Sequence, residues 1–412
     1  MTVLDELVHS VGVRRIGTVV ERVQEVGYPD YPPLSVYLNA GVIPRSDRSD
    51  NHNVLGADLS KYQRVLPGDI VFNRLRTWQG GFGASRHEGI VSPAYIVVRP
   101  RGGDARFLDY LLHSAPYLAE LTRISKWMPP SQFDVLWNDL RQVEVPWPAT
   151  TEQRRIADFL DDRVSRIDRI IAARNSQDSL IAQWQQSYLS RIMDRQVAAS
   201  GVAPLRRFCS GIEQGSSPVA EDRPAEPGEC GVLKTSSIFR GAFFSQRYKS
   251  ILLDDPDPRH RVQSRDVIVV RGSGSADLVG DAAMAMLEGE NPPLYLSDLT
   301  YRLRGLKISP EYAVLAIISA RGRSELGSRV RQGSGPAKAR GDDIMAISVP
   351  VASTAEQLAC VNEASSARSR SAAHSLAIRR SIDLLAEYKM SLITAAVTGE
   401  LDVTTAGSNI PG

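Results

Sequence analysis

Apolar residues recur at helical spacing through a long segment that contains neither glycine nor proline. The segment spans residues 151–193, and Thr151 stands at its start as a candidate N-cap. A seven-residue period runs through Leu160, Ile167, Arg174, Ile181 and Tyr188. Such a period is typical of a helix that packs along another helix, with Arg174 interrupting the seam. The pattern predicts one long helix, and a run of about 40 residues rises about 60 Å.

A second segment, residues 355–397, has the same character, with Thr354 as its candidate N-cap. Its apolar stripe runs through Leu358, Val361, Ala372, Ile382, Leu385, Leu392 and Ala396. Residues 365–371 contain few large apolar side chains, which leaves the length of the seam open. We expect the two long helices to pack antiparallel on each other and to hold two globular parts apart. The alternative is that each helix packs on its own domain.

Short blocks recur in the same order about 200 residues apart, which indicates a tandem duplication. Residues 68–74 resemble residues 265–271, and residues 146–153 resemble residues 350–357. Each repeat begins with short β-like runs, at 70–72 and 95–98 and again at 267–270 and 300–303. A helix candidate follows, 107–121 or 312–326, and then a closing strand, 143–146 or 347–350. This order predicts an α+β fold in both repeats.

Composition and charge narrow the range of functions. The 49 basic and 47 acidic residues leave a net charge of +2, which excludes an evenly basic DNA-coating protein but permits a local basic face. Cys209, Cys230 and Cys360 are too far apart for a disulfide framework or a CxxC zinc site, which favours a reducing cytosol. The first ten residues lack the apolar core of a signal peptide, and no apolar run is long enough to span a membrane.

Motifs that suggest catalysis do not fit their surroundings. Residues 291–294, Asn-Pro-Pro-Leu, resemble the Asn-Pro-Pro-aromatic loop of adenine methyltransferases, but Leu294 replaces the aromatic residue. The glycine turn at 272–274 lies too close to that loop for a doubly wound sheet. Glu387-Tyr388-Lys389 falls within a predicted helix, the histidines show no ligand spacing, and no Walker loop is present. We expect no catalytic or metal site in this chain.

Loops that carry arginine, glutamine and small polar residues fit DNA recognition instead. Arginine reads guanine, glutamine reads adenine, and both hold phosphates. The candidate DNA-binding residues are Arg74, Arg76, Trp78, Gln79, Lys126, Gln132, Lys234, Arg271, Ser273, Arg331, Gln332 and Lys338. The glycines at 80, 81 and 83 would make the first loop flexible enough for close backbone approach.

The chain resembles the DNA specificity subunits of Type I restriction–modification systems along nearly its whole length. The resemblance rests on residues 67–74, 78–83, 91–95, 152–161 and 392–402. It implies an α+β tandem repeat of two globular target recognition domains, separated by two long antiparallel helices that form a coiled coil with pseudo-two-fold symmetry. The implied segments are target recognition domains at 1–148 and 199–350, long helices at 149–198 and 351–403, and a tail at 404–412. The second repeat lacks the Trp-Gln-Gly-Gly-Phe-Gly block.

The resemblance also implies function and partners. Each domain would read one half of a bipartite target in double-stranded DNA, without catalysis by this chain. Two methyltransferase subunits, bringing S-adenosylmethionine, and restriction subunits, bringing ATP and Mg, would join it in the cytoplasm, with no membrane involved. The residues expected to contact partner subunits are Leu160, Ile167, Trp184, Tyr188, Leu385 and Leu392. The alternative is a specificity subunit of another phage-defence system, modification-only or Type IIG-like.

Overall fold

The computed structural model describes residues 12–38, 40–48, 55–56, 58–128, 132–252, 256–287, 289, 291–330 and 337–405. The chain divides into two compact units, and both boundaries fall inside a long helix. Unit 1 contains Met1–Arg174 and Arg379–Gly412, and unit 2 contains Asn175–Ile378. Each unit therefore combines a globular α+β part with half of each long helix, as the sequence predicts for the fold class.

The elements of unit 1 alternate short strands and short helices. Its strands are β1 (Val13–Arg15), β2 (Val20–Val23), β3 (Leu34–Tyr37), β4 (Gly41–Pro44), β5 (Gln63–Val65), β6 (Ile70–Phe72), β7 (Phe82–Ala84), β8 (Gly89–Val91), β9 (Ile96–Pro100), β10 (Lys126–Met128), β11 (Gln132–Asp134) and β12 (Glu144–Pro146). Its helices are α1 (Ile16–Val19), α2 (Ala105–His113), α3 (Ala115–Ile124) and α4 (Trp137–Leu140), and α5 (Thr150–Ser200) begins in it.

Unit 2 repeats this order with changes in its outer strands. Its strands are β13 (Val202–Pro204), β14 (Gly211–Gln214), β15 (Ala220–Glu221), β16 (Gly231–Leu233), β17 (Ile238–Phe239), β18 (Ala242–Phe243), β19 (Tyr248–Ile251), β20 (Val267–Val270), β21 (Gly272–Ser273), β22 (Ala282–Met284), β23 (Leu294–Tyr295), β24 (Thr300–Arg304), β25 (Ala337–Lys338) and β26 (Ser348–Pro350). Its helices are α6 (Pro310–Ile318), α7 (Ala320–Gly327) and α8 (Gly341–Met345), and α9 (Thr354–Thr398) begins in it.

The duplication is visible in the strand order of the central sheets. Unit 1 has the antiparallel order β2-β9-β6-β7, and unit 2 has the matching order β14-β24-β20-β22. A two-stranded pair, β1 with β12 or β13 with β26, closes each globular part. The outer sheets differ, since unit 1 has the pairs β3–β4 and β5–β8 where unit 2 has the sheet β15-β19-β16-β23.

The central sheet of each unit is buried on both faces. In β6, Ile70 and Phe72 join the core that contains the helices, whereas Val71 joins a second apolar cluster on the other face. In β20, Val267 and Val269 face the helical core and Ile268 and Val270 face the other cluster. Because neighbouring residues of a strand point to opposite faces, a strand buried on both sides has an unbroken apolar sequence.

A buried ion pair fixes the turn before the central strand β6 in unit 1 and the turn before β20 in unit 2. In unit 1, Asp69 accepts hydrogen bonds from Arg99 at 2.8 and 2.9 Å and from the backbone N–H of Leu66. In unit 2, Asp266 accepts from Arg302 at 2.8 Å and from the backbone N–H of Gln263. Breaking a buried pair leaves one charge uncompensated, which is strongly destabilising. Both turns therefore depend on an arginine from a neighbouring strand.

Each unit has two short helices where the sequence predicts one. The helix expected over 107–121 is α2 followed by α3, and the helix expected over 312–326 is α6 followed by α7. The break falls at Ser114 and at Ser319, and each hydroxyl donates to the carbonyl three residues earlier at 2.7 Å. Serine competes with the helical backbone in this way, so the prediction of an unbroken helix was wrong.

The long helices begin and end close to the predicted positions. The helix α5 starts at Thr150, so Thr151 lies inside it and is not its N-cap. The N-cap of α9 is Ser353 and not Thr354. The Ser353 hydroxyl accepts from the backbone N–H of Glu356 at 3.4 Å, and the Glu356 carboxylate accepts from the backbone N–H of Ser353 at 2.7 Å. This reciprocal arrangement is a capping box.

The two long helices run antiparallel within each unit. In unit 2, Gln196 of α5 contacts Cys360 of α9, and Tyr188 donates to Glu363 at 2.9 Å. In unit 1, Lys389 pairs with Asp168 at 2.8 Å. The buried face of α9 contains the small residues Ala364, Ala367 and Ser371, whereas Leu358 and Ala372 of the predicted stripe are exposed. The part of α9 that is poor in large apolar residues is therefore packed through small ones.

A buried glutamine joins each long helix to its globular part. Gln153 donates to the carbonyl of Pro148 and accepts from the backbone N–H of Asp104, both at 2.9 Å. Gln357 makes the same two bonds, to Ala352 and from Ser309, also at 2.9 Å. Each amide thus satisfies one carbonyl before the long helix and one N–H at the start of the short helix pair. The repeat reproduces the junction bond for bond.

We expect Gln153→Leu to destabilise the protein by about 2–5 kcal/mol, because it leaves a partly buried N–H and a partly buried carbonyl without partners. The matched control is Gln183→Leu on the exposed face of α5, which should change stability by less than about 0.5 kcal/mol. Urea unfolding followed by circular dichroism measures both variants. Equal stability of the two would show that the amide does not hold the junction.

No helix in the described part of the chain is long and apolar enough to cross a membrane.

Candidate nucleic-acid interface

In unit 1 the fold brings together the two loops that the sequence singles out. Arg74, in the loop after β6, pairs with Asp134 of β11, and its Nε donates to that carboxylate at 2.9 Å. The backbone N–H of Val135 donates to the carbonyl of Arg74 at 3.2 Å. The residue 74–79 loop and the β10–β11 hairpin therefore form one surface, which we call the reading surface of unit 1. Arg74 positions the hairpin, since the pair occupies its guanidinium.

Three aromatic rings pack in a row on this surface, and the last ring is exposed to solvent. Trp78 donates its indole N–H to the carbonyl of Leu75 at 3.2 Å, and its ring lies 5.0 Å from the ring of Phe133. Phe133 is 4.9 Å from Trp127, edge to face. Trp127 pairs with Phe133 across the hairpin, and 54% of it is exposed. Large exposed apolar side chains on a polar surface mark a contact site.

Exposed polar and cationic side chains border the aromatic rings. Arg76, Gln79 and Lys126 are all exposed. The side chain of Gln132, which the sequence also predicts to bind DNA, lies outside the described part of the chain. Cations beside aromatic rings suit a nucleic acid, because phosphates attract the charges and bases stack on the rings.

Packing and backbone conformation favour glycine at two positions of the loop. A Cβ atom on Gly81 would lie 2.7 Å from the Arg76 carbonyl oxygen, and Gly80 has φ +82°. His113, at the end of α2, lies beneath the loop, with its Nε2 3.2 Å from the Gly80 carbonyl oxygen. Glycine at these two positions therefore has a steric and a conformational reason.

His113 links the loop to a carboxylate. Its Nδ1 is 2.9 Å from the carbonyl oxygen of Asp109 and 3.0 Å from the Asp109 carboxylate. Burial lowers the pKa of His113, but the Asp109 charge and the two carbonyl oxygens outweigh burial and raise the pKa above its usual 6.5. Both ring nitrogens face acceptors, and both donate only when the ring is protonated.

Unit 2 has a corresponding surface with different residues. Arg271 follows β20 as Arg74 follows β6, and its carbonyl accepts from the backbone N–H of Ala339 at 2.8 Å. The pairing of β21 with β25 places Gly272 opposite Lys338 and Ser273 opposite Ala337. Lys338 is exposed, and Ser273 is buried. Arg331 and Gln332, also predicted to bind DNA, lie outside the described residues.

The other predicted cations of unit 2 have intramolecular partners. Arg271 donates to the Tyr301 hydroxyl at 3.0 Å and to the Asp298 carbonyl at 3.1 Å. Lys234 directly follows β16 of the outer sheet and pairs with Asp222. Arg271 therefore supports the loop after β20, and Lys234 belongs to a different sheet.

Sequence reasoning did not single out a tyrosine–arginine cluster beside the loop after β6. The hydroxyl of Tyr95 accepts from the side chain of Asn73 at 3.4 Å and interacts electrostatically with Arg45 and Arg76. Burial is the main cause that raises the pKa of Tyr95, so its hydroxyl stays neutral near pH 7. Arg45 follows β4, which is distant in sequence, and no local pattern connects it with Arg76.

The residues predicted to contact partner subunits divide into buried and accessible ones. Leu160 and Ile167 are buried in unit 1, where no partner can reach them, because the heptad positions form the packed seam. Trp184 is exposed and stacks on Tyr188 at 5.1 Å, while Leu385 and Leu392 are half-buried. Other apolar side chains of the long helices are exposed: Ile170, Leu384 and Tyr388 in unit 1, and Leu180, Leu358 and Leu376 in unit 2.

The motifs that suggest catalysis are structural. Leu294 is buried in β23 and so cannot stack on a base, and Lys389 of the Glu-Tyr-Lys sequence pairs with Asp168 on the helix surface. The described residues contain no group of three or more histidine, cysteine, aspartate or glutamate side chains that could hold a metal ion.

The geometry defines a duplicated α+β protein that presents a loop surface at the same place on the central sheet of each unit. No protein-family model matches the sequence. The sequence is 22% identical over 358 residues to the Type I restriction enzyme EcoKI specificity subunit of Escherichia coli K12, covering 80% of this chain and 74% of the relative. The chain is therefore similar in sequence to a Type I specificity subunit, the family that its sequence motifs resemble.

A solved structure shows the same fold. A chain in a structure concerning complex assembly and conformational transition of the type I R-M system superimposes with a TM-score of 0.68. Its identity is 15%, and the match covers 94% of this chain and 98% of that one. The HsdS subunit of Thermoanaerobacter tengcongensis is 16% identical, covering 94% and 97%, with a TM-score of 0.47.

We expect the stability of the protein to fall as pH rises above about 6.5, because His113 has a raised pKa in the folded state. A raised pKa means that protonation favours folding. The stabilisation is complete below the unfolded pKa and is lost as pH rises through the folded one. Thermal unfolding between pH 5.5 and 8.5 should show a pH-dependent difference between wild type and His113→Gln. Asp109→Asn should reduce the pH dependence of stability that His113 causes. Parallel stability profiles of wild type and His113→Gln would contradict this prediction.

Proposed function

We propose that this chain is the DNA sequence-recognition subunit of a Type I restriction–modification complex and that each unit reads one half of a bipartite target. The observation that carries the proposal is the duplicated loop surface. In unit 1 the loop after β6 contacts the segment before the short helix α4. In unit 2 the loop after β20 contacts the segment before the short helix α8. The supporting backbone bonds are conserved between the units, whereas the exposed side chains differ. A common frame with different contact residues suits two different half-sites.

The charge distribution supports contact with double-stranded DNA. Arg76 and Lys126 in unit 1 and Lys338 in unit 2 are exposed beside these loops. Such side chains hold phosphates or read bases, and either role requires accessibility. Arg74 and Arg271, by contrast, act on DNA indirectly by holding the loops in place.

The exposed apolar residues of the long helices support docking of methyltransferase subunits. Each unit has such residues on both of its helix halves, among them Leu384 in unit 1 and Leu180 in unit 2. Two copies per chain follow from the duplication. S-adenosylmethionine would bind the methyltransferase subunits, and ATP and Mg the restriction subunits, so this chain would bind no cofactor and catalyse no reaction.

The second candidate is a specificity subunit of a modification-only or Type IIG-like adenine methylation system. Every feature of this chain described above fits this second candidate as well. The identity of the neighbouring genes separates the two, because only the first requires a restriction ATPase.

We expect replacement of residues 12–148 by the corresponding domain of another specificity subunit to change one half of the methylated sequence and to leave the other half unchanged. The reason is that the reading surface of unit 1 lies within this segment. Methylation mapping in cells that carry the whole operon measures the outcome. A change in both halves would contradict independent reading by the units.

We expect two methyltransferase subunits per chain at saturation in native mass spectrometry. Leu384→Asp and Leu180→Asp should each reduce the number bound, because a charge in an apolar interface is costly. Val219→Asp is the control, since Val219 is as exposed as Leu180 but lies outside the long helices. A saturated complex of the wild-type chain with one copy would refute two docking faces.

A further inference from the structure

The hairpin β10–β11 of unit 1 presents a tryptophan that the fold leaves in solvent. Trp127 is 54% exposed. Its ring packs edge to face on the ring of Phe133, its neighbour across the hairpin, with the ring centres 4.9 Å apart. An exposed indole is unfavourable in water, and it is held here on an ordered support. This combination suits a side chain that is buried only after a partner binds.

The support beneath Trp127 is built from packed rings, a hydrogen bond and an ion pair. Phe133 rests on Trp78 at 5.0 Å, and the indole N–H of Trp78 donates to a backbone carbonyl within the loop. The ion pair between Arg74 and Asp134 fixes the next residue of the hairpin. These contacts favour one orientation of the Trp127 ring before binding, which lowers the entropy that binding must remove.

The charges around Trp127 indicate which partner covers it. Lys126 precedes it, and Arg76 is exposed on the loop that carries Trp78. No acidic side chain but Asp134, which Arg74 neutralises, occurs in the described part of β10 and β11. Cations flanking an aromatic ring fit a nucleic acid, in which phosphates surround stacked bases.

We propose that Trp127 is a wedge that stacks into an opened base step of the half-site contacted by unit 1. The proposal rests on the proposed function and adds a mode of reading to it. Apolar side chains that enter a duplex unstack a base step and kink the DNA, so the sequence is read partly through its deformability. The corresponding segment of unit 2, residues 331–336, contains no aromatic residue, so the distortion should occur in one half-site only.

The test uses the full chain assembled with its methyltransferase subunits, on a target first identified by methylation mapping. 2-Aminopurine, placed in turn at each position of both half-sites, reports unstacking by a rise in fluorescence. The wild-type complex should give a rise at one step of the half-site of unit 1, distinct from the methylated adenine. Trp127→Ala should abolish that rise and weaken binding about 5- to 150-fold, and Trp127→Phe should retain part of both.

Two controls separate the wedge from other roles. Lys126→Ala should keep the 2-aminopurine signal and lower the salt dependence of binding by about one charge. Val26→Ala, at a residue 55% exposed in the same unit, should leave signal and affinity unchanged. Circular dichroism should show that Trp127→Ala melts as wild type does, since the side chain lies outside the core.

Three results would overturn the wedge. The first is wild-type affinity and an unchanged 2-aminopurine profile in Trp127→Ala. The second is loss of methyltransferase subunits from Trp127→Ala in native mass spectrometry, which would make Trp127 a protein contact. The third is a wild-type complex that binds no DNA. This result would overturn the proposed function together with the wedge. Methylation mapping would distinguish it from failure of the wedge alone, because no methylated sequence would then be found.

Discussion

A single buried side-chain amide at the start of each long helix joins that helix to the globular part of its unit. Gln153 and Gln357 each connect the backbone before the long helix with the backbone that begins the short helix pair. The globular parts carry the reading surfaces, and the helices carry the exposed apolar residues. Both surfaces therefore depend on a junction in which one side chain satisfies two partly buried backbone groups. Leaving either group unpaired would cost more than most surface contacts contribute.

Two of the arginines predicted to bind DNA, Arg74 and Arg271, have structural roles, as do Arg99 and Arg302. Arg99 and Arg302 hold the turns before β6 and β20, and Arg74 and Arg271 hold the loops after them. The net charge of +2 reflects 47 acidic residues beside 49 basic ones. Under the proposed function, DNA contact would rely on a few exposed side chains at fixed positions, because the overall charge is small.

The two units show how one frame can support different contacts. Backbone hydrogen bonds join equivalent segments in both, while the outer sheets and exposed loops have diverged. In unit 1 the glycine turn and His113 fix the loop, and an aromatic stack extends from it. In unit 2 a strand pair, β21 with β25, takes the corresponding place. Under the proposed function, this divergence would allow the two units to read different half-sites without a change in the core.

The sequence by itself determined the features that depend on local periodicity and on repetition. It predicted both long helices, the central strands and the tandem α+β architecture, because helical and β periods and repeated blocks are visible along the chain. Tertiary structure decided the rest. The breaks at Ser114 and Ser319, the burial of Leu160 and the pairing of Arg74 with Asp134 depend on groups that other elements bring close. A guanidinium looks the same in sequence whether it faces DNA or a carboxylate 60 residues away, and only the fold distinguishes them.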